Sequence, residues 1–546
     1  MDQSCPIKMR DGRRCGRPLH KTVHREDKVN SCLMHTHDPK KDVAAFQEEF
    51  ERILKAARTA LADFSGFVFP TANYSRKFTA GCDFSGATFT QDAHFGAATF
   101  MQGADFSGAK FTQRASFYRA TFTQEANFSE ATFTQDADFI EAKFTQRASF
   151  YGATFTQDAA FGVATFTQQA SFSDARFTQR ASFYRATFTE DAHFGARFTQ
   201  QASFSDARFM QDAGFHWATF TQEALFGGTK FEKLASFEAA TFLGPAEFRE
   251  TVFREDGKSE PGPIFVSAQF SRPEAVIFYK TYLGQALFHD CDVSKFVFSS
   301  VRWRQRKGKG KRMVFEEIVD LWHGAASALK PGSDNPNERD YGLIAELYQQ
   351  LKKNYDDRKD YWTAGDFHYG ELEMKRLSSR HRNRVLRWLH RHVGLVAWYK
   401  YANAYGESYL RPALWLGAVL FLFTLLYPVA GLVYHADRAD PATRANREQP
   451  VMLASTPAGA PVPRTAKLTY QRPSQDETRD RKQKWWARLR LVAHSSLTTG
   501  YIAAFQKDLV YEPSYPWGRV LALLEVVLTS TLFALFLLAV RRQFRR

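Results

Sequence analysis

A chain of 546 residues exceeds what one hydrophobic core organises, so several domains are expected. Phe is heavily over-used, at 52 residues, which signals an internal repeat rather than an ordinary globular core. The formal charge of +15 is concentrated in 302–312, 375–392 and 541–546, beside helical and apolar stretches, so anionic lipid is the expected complement and no nucleic-acid partner is expected.

Three of the five cysteines lie in the first 35 residues. The N-terminus carries no apolar signal-peptide core, so it is expected to stay in the cytosol, where disulfides are rare. Clustered cysteines there read as metal ligands. Cys5, Cys15, Cys32 and His35 form C-x9-C-x16-C-x2-H, a donor set suited to tetrahedral zinc, with GRRCGRP supplying Gly and Pro for a knuckle. His20, His24 and His37 are competing ligands, and unliganded thiols in a flexible leader are the alternative. The segment is similar to short treble-clef-like zinc ribbons, which implies a closed, structural zinc site within residues 1–40. A capping helix follows over 41–63. Asp42 can N-cap it, and Phe46, Phe50, Ile53, Leu54, Ala57 and Leu61 recur at helical spacing. Such a helix would shield the open strand edge of what comes next.

From Phe84 to Phe253 a Phe recurs at alternating intervals of five and six residues, with one slip between Phe194 and Phe198. Two residues before each Phe stands a small residue, nearly always Ala; Cys82, Thr229 and Thr251 are the exceptions. An eleven-residue apolar period can mean a right-handed coiled coil, but recurrent Thr and Gly and sparse helix formers argue against it. One small and one large inward residue per five suit short flat faces stacked at strand spacing. This A-x-F-x-x pattern, with a residue added in alternate units, resembles the Phe-centred variant of the pentapeptide-repeat family. The resemblance implies a right-handed quadrilateral β-helix with four Phe-centred faces per coil. The 32 Phe positions then give about eight coils, a rod on the order of 38 Å long. Degenerate repeats continue through Phe265, Phe270, Phe278, Phe288 and Phe296, so the β-helix is assigned to 64–300. A 22-residue coil stacks Asp92, Arg114, Asp136, Asp158 and Arg180, and places Glu125 on Arg147. Some members of that family mimic DNA and inhibit gyrase. Here 84–253 hold 13 basic and 18 acidic side chains, mixed in sign, which leaves gyrase binding as a remote alternative.

Residues 301–395 comprise a basic loop, 302–312, and an α-helical hairpin linker turning near 356–359. GKGKR lacks the phosphate-loop pattern GxxxxGK[ST]. The hairpin is similar to a single tetratricopeptide-like unit and to the junction of membrane-bound pentapeptide-repeat proteins. Asp366, His368, Glu371 and Glu373 are expected on a solvated helix face rather than in a metal or catalytic site.

The remainder, 405–546, is a membrane module. Residues 412–434 and 520–540 are long and apolar enough to be transmembrane helices, and the short basic flanks put both termini in the cytoplasm. The expected location is a bacterial inner (plasma) membrane, with the bilayer as one partner. The extracytoplasmic loop, 435–519, reads as a disordered linker over 435–484 and a re-entrant segment over 485–505. The order of span, re-entrant helix, Thr/Gly turn and span resembles the two-helix potassium-channel-like pore module. Its filter would match Thr498, Thr499, Gly500 and Tyr501, although T-T-G-Y-I lacks the second Gly of T-x-G-Y-G. Glu525 interrupts the second span. It reads either as a pore-lining cation ring or as a carboxylate paired with Arg488 or Arg490, or capping the re-entrant helix.

No nucleophile–base pair, HExxH or phosphate loop occurs, so a non-enzyme is expected. The leading expectation is a cation-channel-like homo-oligomer, a tetramer if a pore forms, whose cytoplasmic β-helix binds or senses a protein partner that the sequence does not name. The alternative is a non-conducting, membrane-tethered interaction scaffold.

Overall fold

The structure, a computed structural model, describes residues 4–9, 12–20, 27, 29–255, 260–306, 308, 310–318, 340–378, 383–430, 432–435, 465–468, 492–493, 495–500, 502, 511–513 and 516–544. It divides into two compact units, Met1–Met374 and Lys375–Arg546.

In the first unit, helix α1 (Val43–Ala57) starts at Asp42, whose carboxylate accepts the Ala45 N–H. Phe46 and Phe50 project from it onto Phe64, Phe69 and Tyr74 of the first coil, with ring centroids 4.7–6.2 Å apart. The expected cap thus forms, but it ends earlier than 63, and Leu61–Asp63 is already a strand.

From Leu61 to Ser299 the chain winds into a parallel β-solenoid whose four faces carry ten, ten, eight and ten strands. It is longer than the eight coils counted between Phe84 and Phe253, because the degenerate units at both ends still pair. Ala93, Ala115, Ala137 and Ala159 are in register on one face, and Phe89 pairs with Phe111 on another, each step being 22 residues. The strand spacing makes the Phe side chains columns. Phe89, Phe111, Phe133, Phe155 and Phe177 stack at 4.6–4.8 Å with ring planes within 3°. Neighbouring columns meet edge to face, as Phe106 and Phe117 do at 5.5 Å and 82°, the favoured aromatic geometry. The Thr after alternate Phe residues has its own task. Thr112, Thr123, Thr134 and Thr145 donate Oγ1–H to the carbonyls of Phe89, Phe100, Phe111 and Phe122, one coil below, at 2.9–3.1 Å.

The F-x-x-A corner is a tight turn closed by bonds such as Ala98 N–H to Phe95 O, 3.0 Å. Its third residue adopts positive φ, which suits Gly86 and Gly108 but also falls on Arg119 and Val163. At the slip, one residue is missing. The corner closes instead by Ala196 N–H to Phe194 O at 2.7 Å, and Arg176 pairs with Arg197 at a step of 21. Shortening a corner leaves the faces in register, so the columns continue.

The 22-residue charge ladder is present, but its acids bind backbone. Asp92 accepts the Arg114 N–H at 3.2 Å and Asp158 that of Arg180 at 3.1 Å. Arg119 and Glu141 form a side-chain ion pair across coils, 2.8 Å.

The far end of the solenoid is closed by helices α2 (Tyr341–Asp357) and α3 (Tyr361–Leu377). Asn354 Nδ2 donates to the carbonyls of Val293 and Phe296, and Arg358 donates to those of Phe296 and Phe298. These side chains take the place of a further coil, so the hairpin is a second cap as well as a linker. Trp303 sits beneath it, its Nε1–H on the Tyr355 hydroxyl at 2.9 Å and its ring edge-on to Phe367. Two expectations are corrected here. Asp366, Glu371 and Glu373 are buried rather than solvated, because Asp366 pairs with Arg312 at 3.0 Å and Lys311 at 3.4 Å, and Glu371 lies 3.8 Å from Lys352. Correspondingly, much of the 302–312 basic run is neutralised within the unit rather than offered to lipid: Arg306 pairs with Glu317 at 2.6 Å and Arg302 with Glu255 at 2.7 Å.

The second unit contains α4 (Arg384–Val393), α5 (Leu395–Asn403), α6 (Leu410–Ala430) and α7 (Pro516–Phe544). Helices α6 and α7 are long and apolar enough to cross a membrane, and they pack together. Helix α6 ends before 434 because Leu432–His435 turns into a strand. That strand pairs with Thr465–Leu468 and Tyr511–Pro513 in a small antiparallel sheet, where the sequence suggested only a linker.

Candidate metal centre and interhelical polar cluster

A short hairpin brings the N-terminal ligands together. Cys5 N–H bonds to Arg17 O and Cys15 N–H to Ile7 O, which turns both thiols to one side. Leu19 bridges to Cys32, and the turn after Cys32, closed by His35 N–H to Cys32 O, presents the imidazole. Cys15 Sγ lies 3.7 Å from Cys32 Sγ, and His35 Nδ1 lies 3.2 Å from Cys32 Sγ and 3.7 Å from Cys5 Sγ. All four ligand atoms fall within 4.8 Å of one another. A tetrahedron with Zn–S near 2.3 Å has S–S edges of about 3.8 Å, so the donors fit a metal of that size. Of the competing histidines, His37 bonds to Asp27 at 2.9 Å and His20 lies 4.0 Å from Asp38; His24 lies outside the described residues.

The surroundings prepare the cluster. The His35 Nε2 lies 3.4 Å from Ser65 O, which would leave Nδ1 to bind a metal and ties the cluster to the first solenoid corner. Arg17 donates to Cys15 Sγ at 3.2 Å and to Glu49 of α1 at 2.9 Å, while lying over the Phe67 ring. The Cys32 thiol donates to Cys15 and, with Arg17 and His35, brings the Cys15 pKa down to about 3 despite burial. Burial is the largest single influence on Cys5 and opposes its thiolate, but the His35 contact and the backbone bonds at Ile7 and Cys32 together outweigh it and lower its pKa. Burial also disfavours the imidazolium, yet Cys15 and Cys5 raise the His35 pKa to about 9. The Cys32 pKa is raised, because its proton is shared with Cys15. The cluster therefore holds protons that a divalent cation would displace.

A second polar group lies in the other unit, between α6 and α7. Glu525 is buried, and the Tyr427 hydroxyl donates to its Oε2 at 2.5 Å. Its Oε1 has no hydrogen-bond partner among the described residues. Sequence reasoning considered Arg488 and Arg490, which lie outside the described residues, and missed Tyr427, 98 positions away on α6. Residues 495–500 are helical and sit against α6: Ser495 Oγ–H donates to Thr424 O, and Thr499 Oγ1 lies 3.5 Å from Thr424 Oγ1. Ile502 completes an apolar cluster with Phe423 and Tyr427. Thr498 and Thr499 are buried, and with Gly500 they lie in the helix rather than in an extended filter. Tyr501 lies outside the described residues.

A parallel β-solenoid joined to two apolar, span-length helices defines a membrane-associated repeat protein. Residues 77–121 and 117–165 match the family model described as pentapeptide repeats (9 copies), a stretch that lies within the regular part of the solenoid. Comparison with curated proteins and with solved structures finds no match for the chain.

Proposed function

We propose that the protein is a channel-like membrane protein with a cytoplasmic β-helix that binds or senses a protein partner, and with no enzymatic activity. The observation that carries this reading is the short polar helix at 495–500, seated against α6 with Thr498 and Thr499 buried in it, beside a buried Glu525 on α7. Two spans cannot enclose a pore alone, so the reading requires a homo-oligomer, a tetramer by analogy with two-helix channels. Glu525 would then favour cations by its field rather than by fitted carbonyls. On the positive-inside rule both termini are cytoplasmic, with the β-helix on the cytoplasmic side of a bacterial plasma membrane. Zinc at Cys5, Cys15, Cys32 and His35 has a structural part, holding the α1 cap on the first coil.

The test is cation flux into liposomes. Wild-type oligomer should conduct, and Glu525→Gln should conduct less while expressing equally. A monomer on cross-linking, or an oligomer that passes no ions at any voltage or pH, removes the channel reading. The second reading, a non-conducting membrane-tethered scaffold, then stands. It is favoured by Glu525 bonding to Tyr427 of its own hairpin and by the helical form of 495–500.

A further inference from the structure

Helix α4 is turned inside out. Val385, Leu386, Trp388, Leu389 and Val393 fall on one side of its helical wheel and are exposed, Val385 at 65% and Trp388 at 56%. Arg387, His390 and Arg391 occupy the other side and are half-buried. Arg391 is fixed there, its Nε–H on Leu377 O at 3.1 Å and its own carbonyl accepting from Arg376. A helix bathed in water would present the opposite face. The apolar face continues past the Gly394 bend into α5, where Leu395 is 88% exposed and Trp398 63%. Helix α5 packs on α6, and Trp415 of α6 donates to Tyr401 O at 3.3 Å. Trp398, Tyr401 and Trp415 thus mark a belt at the entry to the first membrane helix, the level where Trp and Tyr gather at a bilayer surface. From 375 to 406 the sequence has eight Lys and Arg and no Asp or Glu.

We propose that α4 lies in the plane of the bilayer surface, with its outward apolar face sunk among the acyl chains and its cationic segment held by anionic headgroups. The occupant of the exposed face is the bilayer itself. Three separate features agree: the apolar stripe points outward, the aromatic belt sets its depth beside a span, and the acid-free cationic run complements anionic lipid. This rests on α6 being a transmembrane helix.

Full-length protein carrying the photocrosslinker benzoyl-phenylalanine at 386, 389 or 393 should form lipid adducts in phosphatidylcholine vesicles. The same group at 387 or 390 should not. Position 421 on the lipid-facing side of α6 is the control, so its failure to react removes the spanning reading rather than this one. Adding phosphatidylglycerol should increase hydrogen-exchange protection of α4 by about fivefold or more, and salt should reverse the gain. Leu386→Asp with Leu389→Asp should abolish that protection while the solenoid stays protected. Adducts to a second copy of the chain, equal labelling around the helix, or identical protection in both vesicles would overturn the proposal.

Discussion

Replacing Glu316 with Gln should remove a pH-dependent weakness at the C-terminal end of the solenoid. Glu316 is fully buried, and its Oε1 accepts the Phe288 N–H at 2.6 Å. In the preceding coil that role falls to a strand carbonyl, as when Phe265 N–H bonds to Leu287 O. Glu316 therefore supplies the acceptor that a missing coil would have provided. Its other oxygen has no hydrogen-bond partner among the described residues, and burial raises its pKa from 4.5 to about 7. The folded state holds this proton more tightly than the unfolded chain. Its stabilisation is complete below about pH 4.5 and is lost as pH rises through about 7. The gap between those values corresponds to about 3 kcal/mol, or roughly a hundredfold in local opening. Hydrogen exchange of the peptide containing Phe288, corrected for intrinsic rates, reads this directly. Wild type and Glu316→Gln should match at pH 4.5, and the variant should be the better protected at pH 8. Equal protection at pH 8, or a variant less stable at both pH values, would refute the assignment.

Three further outcomes follow from the same geometry. Phe150→Ala in the middle of its column should destabilise the solenoid by about 3–5 kcal/mol, seen as a lowered denaturant midpoint, because Phe150 is fully buried and stacked on Phe128 and Phe172. Val163→Gly should stabilise by about 1 kcal/mol in thermal unfolding, since a β-branched residue sits at φ 59° there. Elemental analysis of purified protein should find one zinc per chain, lost in Cys32→Ser; removing it with chelator should loosen α1 from the first coil, read as faster exchange at Val43–Ala57.

The slip at Phe194–Phe198 shows how far a local pattern carries. Its position was legible from the intervals alone, and the pairing of Arg176 with Arg197 follows from it. The end caps were less legible. Nothing in the spacing of α2 says that Asn354 and Arg358 will reach carbonyls some sixty residues earlier. Asp366 reads as a surface acid by its neighbours in sequence, and only the fold of 304–313 against α3 buries it with Arg312.

By itself the sequence determined what repeats or is contiguous. The Phe and Ala intervals set the coil, its register and its aromatic columns, because each coil contacts only its neighbours and most strands are two residues long. The cysteine and histidine spacing named the four residues that the fold gathers into a cluster able to hold a metal, and the length of the apolar runs named the two helices long enough to cross a membrane. Tertiary structure alone decided the contacts made once, between distant segments. These are His35 reaching Ser65, Glu316 ending the ladder at Phe288, and Tyr427 of α6 meeting Glu525 of α7. Such pairs are chosen by the desolvation of a particular buried group, which a periodic pattern does not encode.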